Sequence, residues 1–400
     1  MPDVSLIVEG TYPYRTGGVS TWLDRLLRGL PDVTFSVTHL RGPDSPPAPS
    51  VFDRPRNLVA VRDLTLDPDR EGPAADDHRH LPDARVQHAL STGAASTLAA
   101  QAARAGRGRF LLTEHGLAWR EAALGIEAYK GGGGGGNPNP GNPNPGNPNP
   151  GKPGRAELRA DRVPLVARRL AQEAYDAADI VTSVCAENSR LQVALGADAT
   201  RAHVIPNGVR RQPAWERPAS RELWIGLVGR VVGVKDIGTF LRACALVARQ
   251  RSDVRFAVVG PLDHDPVYAQ RCVGLARRLG LESRLVFTGE TDPDPWYRRL
   301  DVLCLTSVSE AQPLVVLEAM AAGLPVVCTA VGGCAQLVGS GGIVTAPGTP
   351  RATADALLRL CGDRDLRARL GAAGRARSRR RHDANAVHAT YHRLYETLAG

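Results

Sequence analysis

Lysine is nearly missing from this 400-residue chain: of 50 basic residues only Lys130, Lys152 and Lys235 are lysines, and arginine supplies the rest. Under such a bias a freely drifting surface lysine becomes arginine, so each lysine that is kept marks a position to inspect. Asparagine is as scarce, with only Asn57, Asn188, Asn207 and Asn385 outside one repeat. Aromatic residues make up 5% of the chain and no nucleic-acid motif accompanies the net charge of +9, so nucleic acid is not an expected partner. The basic balance leaves anionic lipid or a phosphorylated small molecule. No apolar run reaches the ~18 residues that a membrane-crossing helix needs. The opening stretch MPDVSLIVEG has neither a basic n-region nor a cleavage site, which points to a cytoplasmic protein, with peripheral contact at the inner membrane face left open. The seven cysteines are an odd number and form no CxxC. Contexts such as DVLCLTS and VVCTA point to buried reduced thiols, not to disulfides or a zinc site.

What is present is alternation. Four hundred residues exceed a single core, so two domains are expected. In the first half VSLIVEG, TFSVTHL, LVAVRDL, RFLLTEHG and AHVIPNG read as strands, with helices at STWLDRLLRGL and over 94–105, and DIVTSVCAENSRLQVALG as strand, turn and helix. The second half has five short apolar strands, LWIGLVGR, RFAVVGP, RLVFTGE, DVLCLTS and PVVCTAVGG, separated by helical stretches. Both halves predict doubly wound α/β sheets, whose ligands bind at the carboxyl ends of the strands. The expected domains are 1–206, with a low-complexity insert at 131–154, then 207–378, then a helical segment 379–400 packing back toward the first domain. The insert, six glycines followed by NPNPG units, can form neither a helix nor an inner strand. The linker lies over 205–220, rich in Pro and Arg.

Candidate site residues cluster at strand ends. In GLVGRVVGVKDIGTFLRA a strand ends at Gly229, and Arg230 and Lys235 follow before a helix, an arrangement suited to a diphosphate. A solvated basic loop is the plain alternative, and lysine scarcity weighs against it. In SEAQPLVVLEAMAAGLPVV, Glu310 follows a strand and Glu318 sits inside a Leu/Val/Ala/Met run, where a purposeless charge is costly. In one continuous helix the two carboxylates would lie about 80° apart and face one cleft; such groups accept hydrogen bonds from vicinal hydroxyls of a sugar or ribose. Gly17 and Gly18, in EGTYPYRTGGVSTWL, let the backbone approach a ligand at a strand-to-helix turn, and His115 ends the strand FLLTEHG. Two DxD pairs, Asp263/Asp265 and Asp292/Asp294, could hold a metal, but both lie in Pro-containing loops where Asp makes turns, and Arg230 and Lys235 already supply countercharge. No metal is expected. The arginine run from Arg375 to Arg381 reads as a solvated helix end, with an anionic membrane or a partner as the alternative.

These residues resemble the family 4 retaining glycosyltransferases of the GT-B fold, α/β proteins of two doubly wound Rossmann-like domains with a cleft between them. EGTYPYRTGGVSTW, HALSTG, TEHG and EN before IPNG look like the subgroup of the Pel exopolysaccharide glycosyltransferase (PelF-like). The resemblance implies that Arg230 and Lys235 grip the diphosphate of a UDP-sugar, UDP-glucose especially. It implies that Glu310 holds the donor sugar's hydroxyls and Glu318 the ribose, with Ala311, Pro313 and Leu314 lining the donor loop. His115 is implied beside the reacting carbon, the Gly17–Gly18 loop over the donor, and a glycan or other hydroxyl compound as acceptor. The donor is a substrate, and neither cofactor nor metal is implied. Several positions depart: Ala311 stands where the family has Gly, Ala330 where it has Asp, and Gln336 where it has Glu, while LAWREAALGIEAYK replaces an arginine-rich acceptor-side helix. The departures keep two alternatives alongside, a nucleotide-sugar-binding regulator or scaffold of a membrane-bound polysaccharide synthase, and a nucleotide-sugar 2-epimerase on the same fold.

Overall fold

The computed structural model describes residues 1–10, 12–42, 49–67, 72–123, 155–212 and 222–400, with backbone only over 155–162. The insert 131–154, the end of LAWREAALGIEAYK and linker residues 213–220 lie outside the described residues. The chain divides into two compact units. Unit 1 comprises Met1–Thr182, Gln192–Ala202 and Tyr395–Gly400, and unit 2 comprises Ser183–Leu191 and His203–Leu394.

The first sheet contains β1 (Val4–Glu9), β2 (Phe35–Arg41), β3 (Leu58–Thr65), β4 (Val86–Ala89), β5 (Arg109–Glu114), β6 (Ile180–Ser183) and β7 (Ala202–Val204). Their order is β3-β2-β1-β4-β5-β6-β7. Registered pairs such as β1 with β2 and β4 with β5 run parallel, so each connection needs a crossover. Helices α1 (Gly18–Gly29), α2 (Ala94–Arg104), α3 (Ala118–Ala123), α4 (Arg155–Ala177) and α5 (Ala186–Ala194) supply them among the described residues.

The second sheet contains β8 (Leu223–Val228), β9 (Val254–Val259), β10 (Leu285–Phe287), β11 (Val302–Leu305), β12 (Val326–Thr329) and β13 (Gly342–Thr345) in the order β10-β9-β8-β11-β12-β13. Around it lie α6 (Ile237–Gln250), α7 (Pro266–Arg278), α8 (Asp294–Arg299), α9 (Leu314–Ala321), α10 (Cys334–Val338), α11 (Pro350–Gly362), α12 (Arg364–Arg381) and α13 (Ala384–Ala399). A parallel sheet buries both faces, and the side chains divide accordingly. Ile225, Leu227, Phe256 and Val258 pack with Phe240, Leu241 and Cys244 of α6 on one face, while Val228, Val259, Leu303 and Leu305 pack with Val316, Leu317 and Met320 of α9 on the other. Each such aliphatic side chain contributes roughly 1.5–3 kcal/mol on burial.

Both sheets are Rossmann-like and both reverse their direction of growth once, between β1 and β4 in the first and between β8 and β11 in the second. The strands read from sequence are present, and two more join them. β4 hides its pattern because Gln87 and His88 are buried in a central strand, where Gln87 Nε2 donates to the Pro82 carbonyl and His88 Nδ1 pairs with the Tyr395 hydroxyl. β13 is four residues long at the sheet edge and opens with Gly342. At the C-terminus, residues 379–381 finish α12 and the last helix starts at Ala384, so the expected helical segment 379–400 is broken by His382 and Asp383. All seven cysteines are free and buried, and no helix among the described residues is long and apolar enough to cross a membrane.

Candidate functional site

The switch point of the second sheet brings together the two loops that carry Lys235 and Glu310. After β8 the chain turns at Gly229, whose φ of 144° suits glycine, and a 3-10 turn over Gly233–Lys235 leads into α6. The loop after β11 is stitched to it: the Val308 amide donates to the Val234 carbonyl at 2.9 Å, and Thr306 Oγ1 donates to the carbonyls of Lys235 and Asp236 at 3.1 and 2.9 Å. As a result Lys235 Nζ and Glu310 Oε1 are in direct contact, with side chains only 15% and 12% exposed. Ser307 Oγ also donates to Glu310 Oε1, at 2.7 Å. A third loop closes from β12, where a Cβ on Gly332 would overlap the Glu310 carbonyl oxygen, and the Gly333 amide donates to the Ala311 carbonyl at 2.8 Å. Three strand ends thus hold one ammonium and one carboxylate within a small, half-buried space.

Glu318 lies on a different element from Glu310. α9 begins at Leu314, after Pro313, so Glu310 belongs to the preceding loop and the 80° helical relation expected between the two does not apply. Glu318 is half-buried and its Oε2 accepts from the Tyr297 hydroxyl of α8 at 2.8 Å. Among the described residues no side chain caps α9, so its first amides and the positive end of its dipole stay open where the Glu310 loop ends. The helix expected to receive a diphosphate beside Arg230 and Lys235 is different: Asp236 caps α6 by accepting from the Thr239 amide at 3.1 Å. The uncapped helix start at this switch point is therefore that of α9. Arg230 sits half-exposed directly after Gly229. The methyl of Ala311 packs with Val184 and Cys185, and Ala330 and Gln336 are exposed.

In unit 1 Gly17 precedes α1 and Gly18 opens it, again without a side-chain cap. Gly17 has extended backbone (φ 176°), and a Cβ at either glycine would meet nothing within 4 Å. Neither backbone strain nor packing demands glycine here. His115 follows β5, its ring 4.3 Å from that of Trp22 at 65°. Its Nε2 is enclosed with no partner among the described residues, and burial lowers its pKa to about 4. Directly before it, the fully buried Glu114 accepts from Thr92 Oγ1 at 3.0 Å, Tyr175 OH at 2.6 Å and Gln192 Nε2 at 2.8 Å. Burial pushes its carboxyl up, against those three donors.

Sequence reasoning passed over Tyr297, Ser307 as a partner of Glu310, Gln312 and Glu114. For Gln312 a signal existed: the scarce Asn207 donates Nδ2–H to its carbonyl at 2.8 Å, and Gln312 Oε1 accepts from the Asn207 amide at 2.5 Å, both residues being buried. Tyr297 had none, since DPDPWYRRL reads as a turn. Of the DxD residues, Asp265 caps α7 and Asp292 accepts from the Asp294 amide at 3.0 Å. Among the described residues no group of three or more His, Cys, Asp and Glu is placed to hold a metal ion. The arginine run is solvated only at its end: Arg375 donates to the Gln212 carbonyl and Arg377 to those of Leu337 and Gln336, which corrects the reading of the whole run as a solvated helix end.

Residues 222–363, which lie in unit 2, match the family described as Glycosyl transferases group 1. Residues 2–80 and 74–200 match a domain of unknown function (DUF3492). The D-inositol 3-phosphate glycosyltransferase of Xylanimonas cellulosilytica is 33% identical over 223 residues, 50% of this chain and 52% of that protein. D-inositol 3-phosphate glycosyltransferase 2 of Catenulispora acidiphila is 34% identical over 191 residues, 42% and 44% of the two chains. The chain spans about half the length of these curated relatives. Among solved structures, sucrose-phosphate synthase from Thermosynechococcus elongatus superposes with a TM-score of 0.76 at 19% identity, covering 99% of this chain and 98% of that one. Anabaena Alr3699/HepE in complex with UDP and glucose gives 0.74 at 18%, covering 100% of both. The fold is GT-B.

Proposed function

We propose that the chain is a retaining, metal-independent glycosyltransferase that moves a sugar from a UDP-sugar, UDP-glucose first, to a hydroxyl of a glycan or small-molecule acceptor. A PelF-like role in exopolysaccharide or glycoconjugate synthesis belongs to the same proposal. The observation that carries it is the meeting of Lys235 and Glu310 at the switch of the second sheet, beside the uncapped start of α9. The match of residues 222–363 to Glycosyl transferases group 1 supports it, as do the named activity of the D-inositol 3-phosphate relatives and the UDP and glucose named in the Anabaena structure.

In this reading Lys235, Arg230 and the first amides of α9, from Leu314 on after the Ala311–Pro313 loop, oppose the diphosphate. Glu310 accepts from hydroxyls of the sugar and Glu318 from those of the ribose. The Gly17–Gly18 backbone comes close to the donor, and His115, neutral at ordinary pH because burial depresses it, offers a hydrogen bond without a charge. The acceptor oxygen bonds to the anomeric carbon on the face that UDP leaves, the sugar–phosphate C–O bond breaks with its electron pair going to UDP, and the acceptor proton passes to a donor phosphate oxygen. The protein groups then contribute by positioning and by stabilising the charge that grows on UDP.

Calorimetric titration of UDP and UDP-glucose with chelator present tests the reading. Binding to the wild type, weakened in Lys235→Ala by on the order of 1.5–3 kcal/mol, is expected. If neither ligand binds, the donor assignment fails. A nucleotide-sugar-binding regulator is the second reading, favoured by Ala330 and Gln336 standing where the family has acids. Turnover of UDP-glucose with a hydroxyl acceptor excludes the regulator, and an unepimerised product excludes the 2-epimerase.

A further inference from the structure

The end of α12 carries Arg379, Arg380 and Arg381 in consecutive positions, all exposed, and the segment after β7 brings Arg210 and Arg211 beside the first of them. Arg210, Arg211 and Arg379 line one shallow depression with Ser378 and Asp383. Asp383 is the single acid of that depression among the described residues, and it is taken: Arg211 Nε donates to its Oδ2 at 2.8 Å. Among the described residues no carboxylate or carbonyl accepts from the guanidinium groups of Arg210, Arg379, Arg380 or Arg381. The helix dipole favours cations at this end, but its pull amounts to about half a charge and falls off within one turn. It does not account for five arginines, two of them from another segment. Their crowding is also felt inside the protein, where Arg379 depresses Arg375, and Arg380 and Arg381 depress Arg377, each adding to the effect of burial.

We propose that this arginine cluster is a docking surface for an anionic lipid bilayer. A bilayer offers many phosphates in one plane and so can meet guanidinium groups from two segments at once, and clusters of four or more Lys or Arg act in this way at membranes. Among the described residues the lining holds no aromatic ring on which a nucleic-acid base could stack. Among the same residues it holds no exposed large apolar side chain either, so the attachment is electrostatic, reversible and salt-sensitive. The surface belongs to unit 2 and does not rest on glycosyl transfer.

Vesicle co-sedimentation with the full chain tests it. The wild type is expected to bind phosphatidylcholine vesicles containing phosphatidylglycerol, not pure phosphatidylcholine, and to be released by salt. Arg379→Gln/Arg380→Gln/Arg381→Gln should lower partitioning on the order of a hundredfold, at about fivefold per arginine. Arg359→Gln/Arg364→Gln/Arg369→Gln removes the same charge from exposed positions elsewhere on α11 and α12, and should change partitioning only a few-fold. No binding to the anionic vesicles overturns the proposal, as does equal loss in the two triple variants. So does release by inorganic phosphate well beyond sodium chloride of equal ionic strength, which would assign the cluster to a soluble phosphate. Tighter binding to duplex DNA than to the vesicles would overturn it in favour of nucleic acid.

Discussion

The Glu318 carboxylate is met by a phenol. Its Oε2 accepts from Tyr297, a residue 2% exposed, so that hydroxyl helps to orient a group proposed to meet the ribose. Tyr297→Phe keeps the packing and removes that donor. UDP-glucose affinity should fall by about 0.5–1.5 kcal/mol, with the unfolding midpoint moving little. Unchanged affinity would mean that Glu318 needs no help from α8, and that its role lies elsewhere. At this scale composition was a better guide than motif. Of three lysines, Lys235 lies at the switch point in contact with a carboxylate. Of four asparagines outside the repeat, Asn57 ties three carbonyls, those of Leu27, Leu30 and Val33, and Asn207 holds Gln312. Lys235, Asn57 and Asn207 thus each have a geometric reason to be kept. Tyr297 and Ser307 carried no such mark, because neither tyrosine nor serine is as scarce here as lysine.

At the scale of elements, glycines divide into two kinds. Gly332 has a φ of 49° and lies against the Glu310 carbonyl, so Gly332→Ala should displace the loop that presents Glu310, lowering both stability and UDP affinity. Gly18 faces nothing within 4 Å, and alanine suits a helix better than glycine, so Gly18→Ala should leave the unfolding midpoint level or slightly raised while weakening UDP-glucose binding. Thermal unfolding and titration on the pair read the two effects separately. If Gly18→Ala binds the donor as the wild type does, the first helix takes no part in donor recognition. Most strands were legible because parallel strands buried on both faces are continuous apolar runs. β4 was not, since VQHA places a glutamine and a histidine in the centre of a sheet and pairs both with partners far off in sequence. The open start of α9 was half-legible: Pro313 announces a helix, but only the structure shows that among the described residues no side chain caps it, while Asp236 caps α6.

For the whole molecule the histidines set the response to acid. His39, His88 and His115 in unit 1 and His382 in unit 2 are all held below the ordinary range by burial, His88 to about 3 and His115 to about 4. In the window between about 6.5 and about 4 the unfolded chain binds more protons than the folded one, so stability is complete above it and is lost as pH falls through it. A fully buried histidine such as His88 costs about 1.4 kcal/mol per pH unit there. Glu114, pushed up by burial, acts in the opposite sense, one group against four. Urea midpoints should therefore drop on going from about pH 7.5 to about 5, most for the transition that reports on unit 1. A level midpoint would show that these rings are protonated in the fold.

His88 also binds the two ends of the chain's history together. Its Nε2 pairs with Thr113 Oγ1 and its Nδ1 with the hydroxyl of Tyr395, both at 2.8 Å, across a gap of 307 residues in the second case. Unit 1 is thus assembled from three stretches, the last of them Tyr395–Gly400. A ribosome releases the bulk of this unit early, yet the unit waits through the synthesis of all of unit 2 for the phenol that completes its central strand. A fragment ending at residue 206 therefore lacks part of its own interior, and a nascent chain of that length should be a client for chaperones until translation of the later residues supplies it.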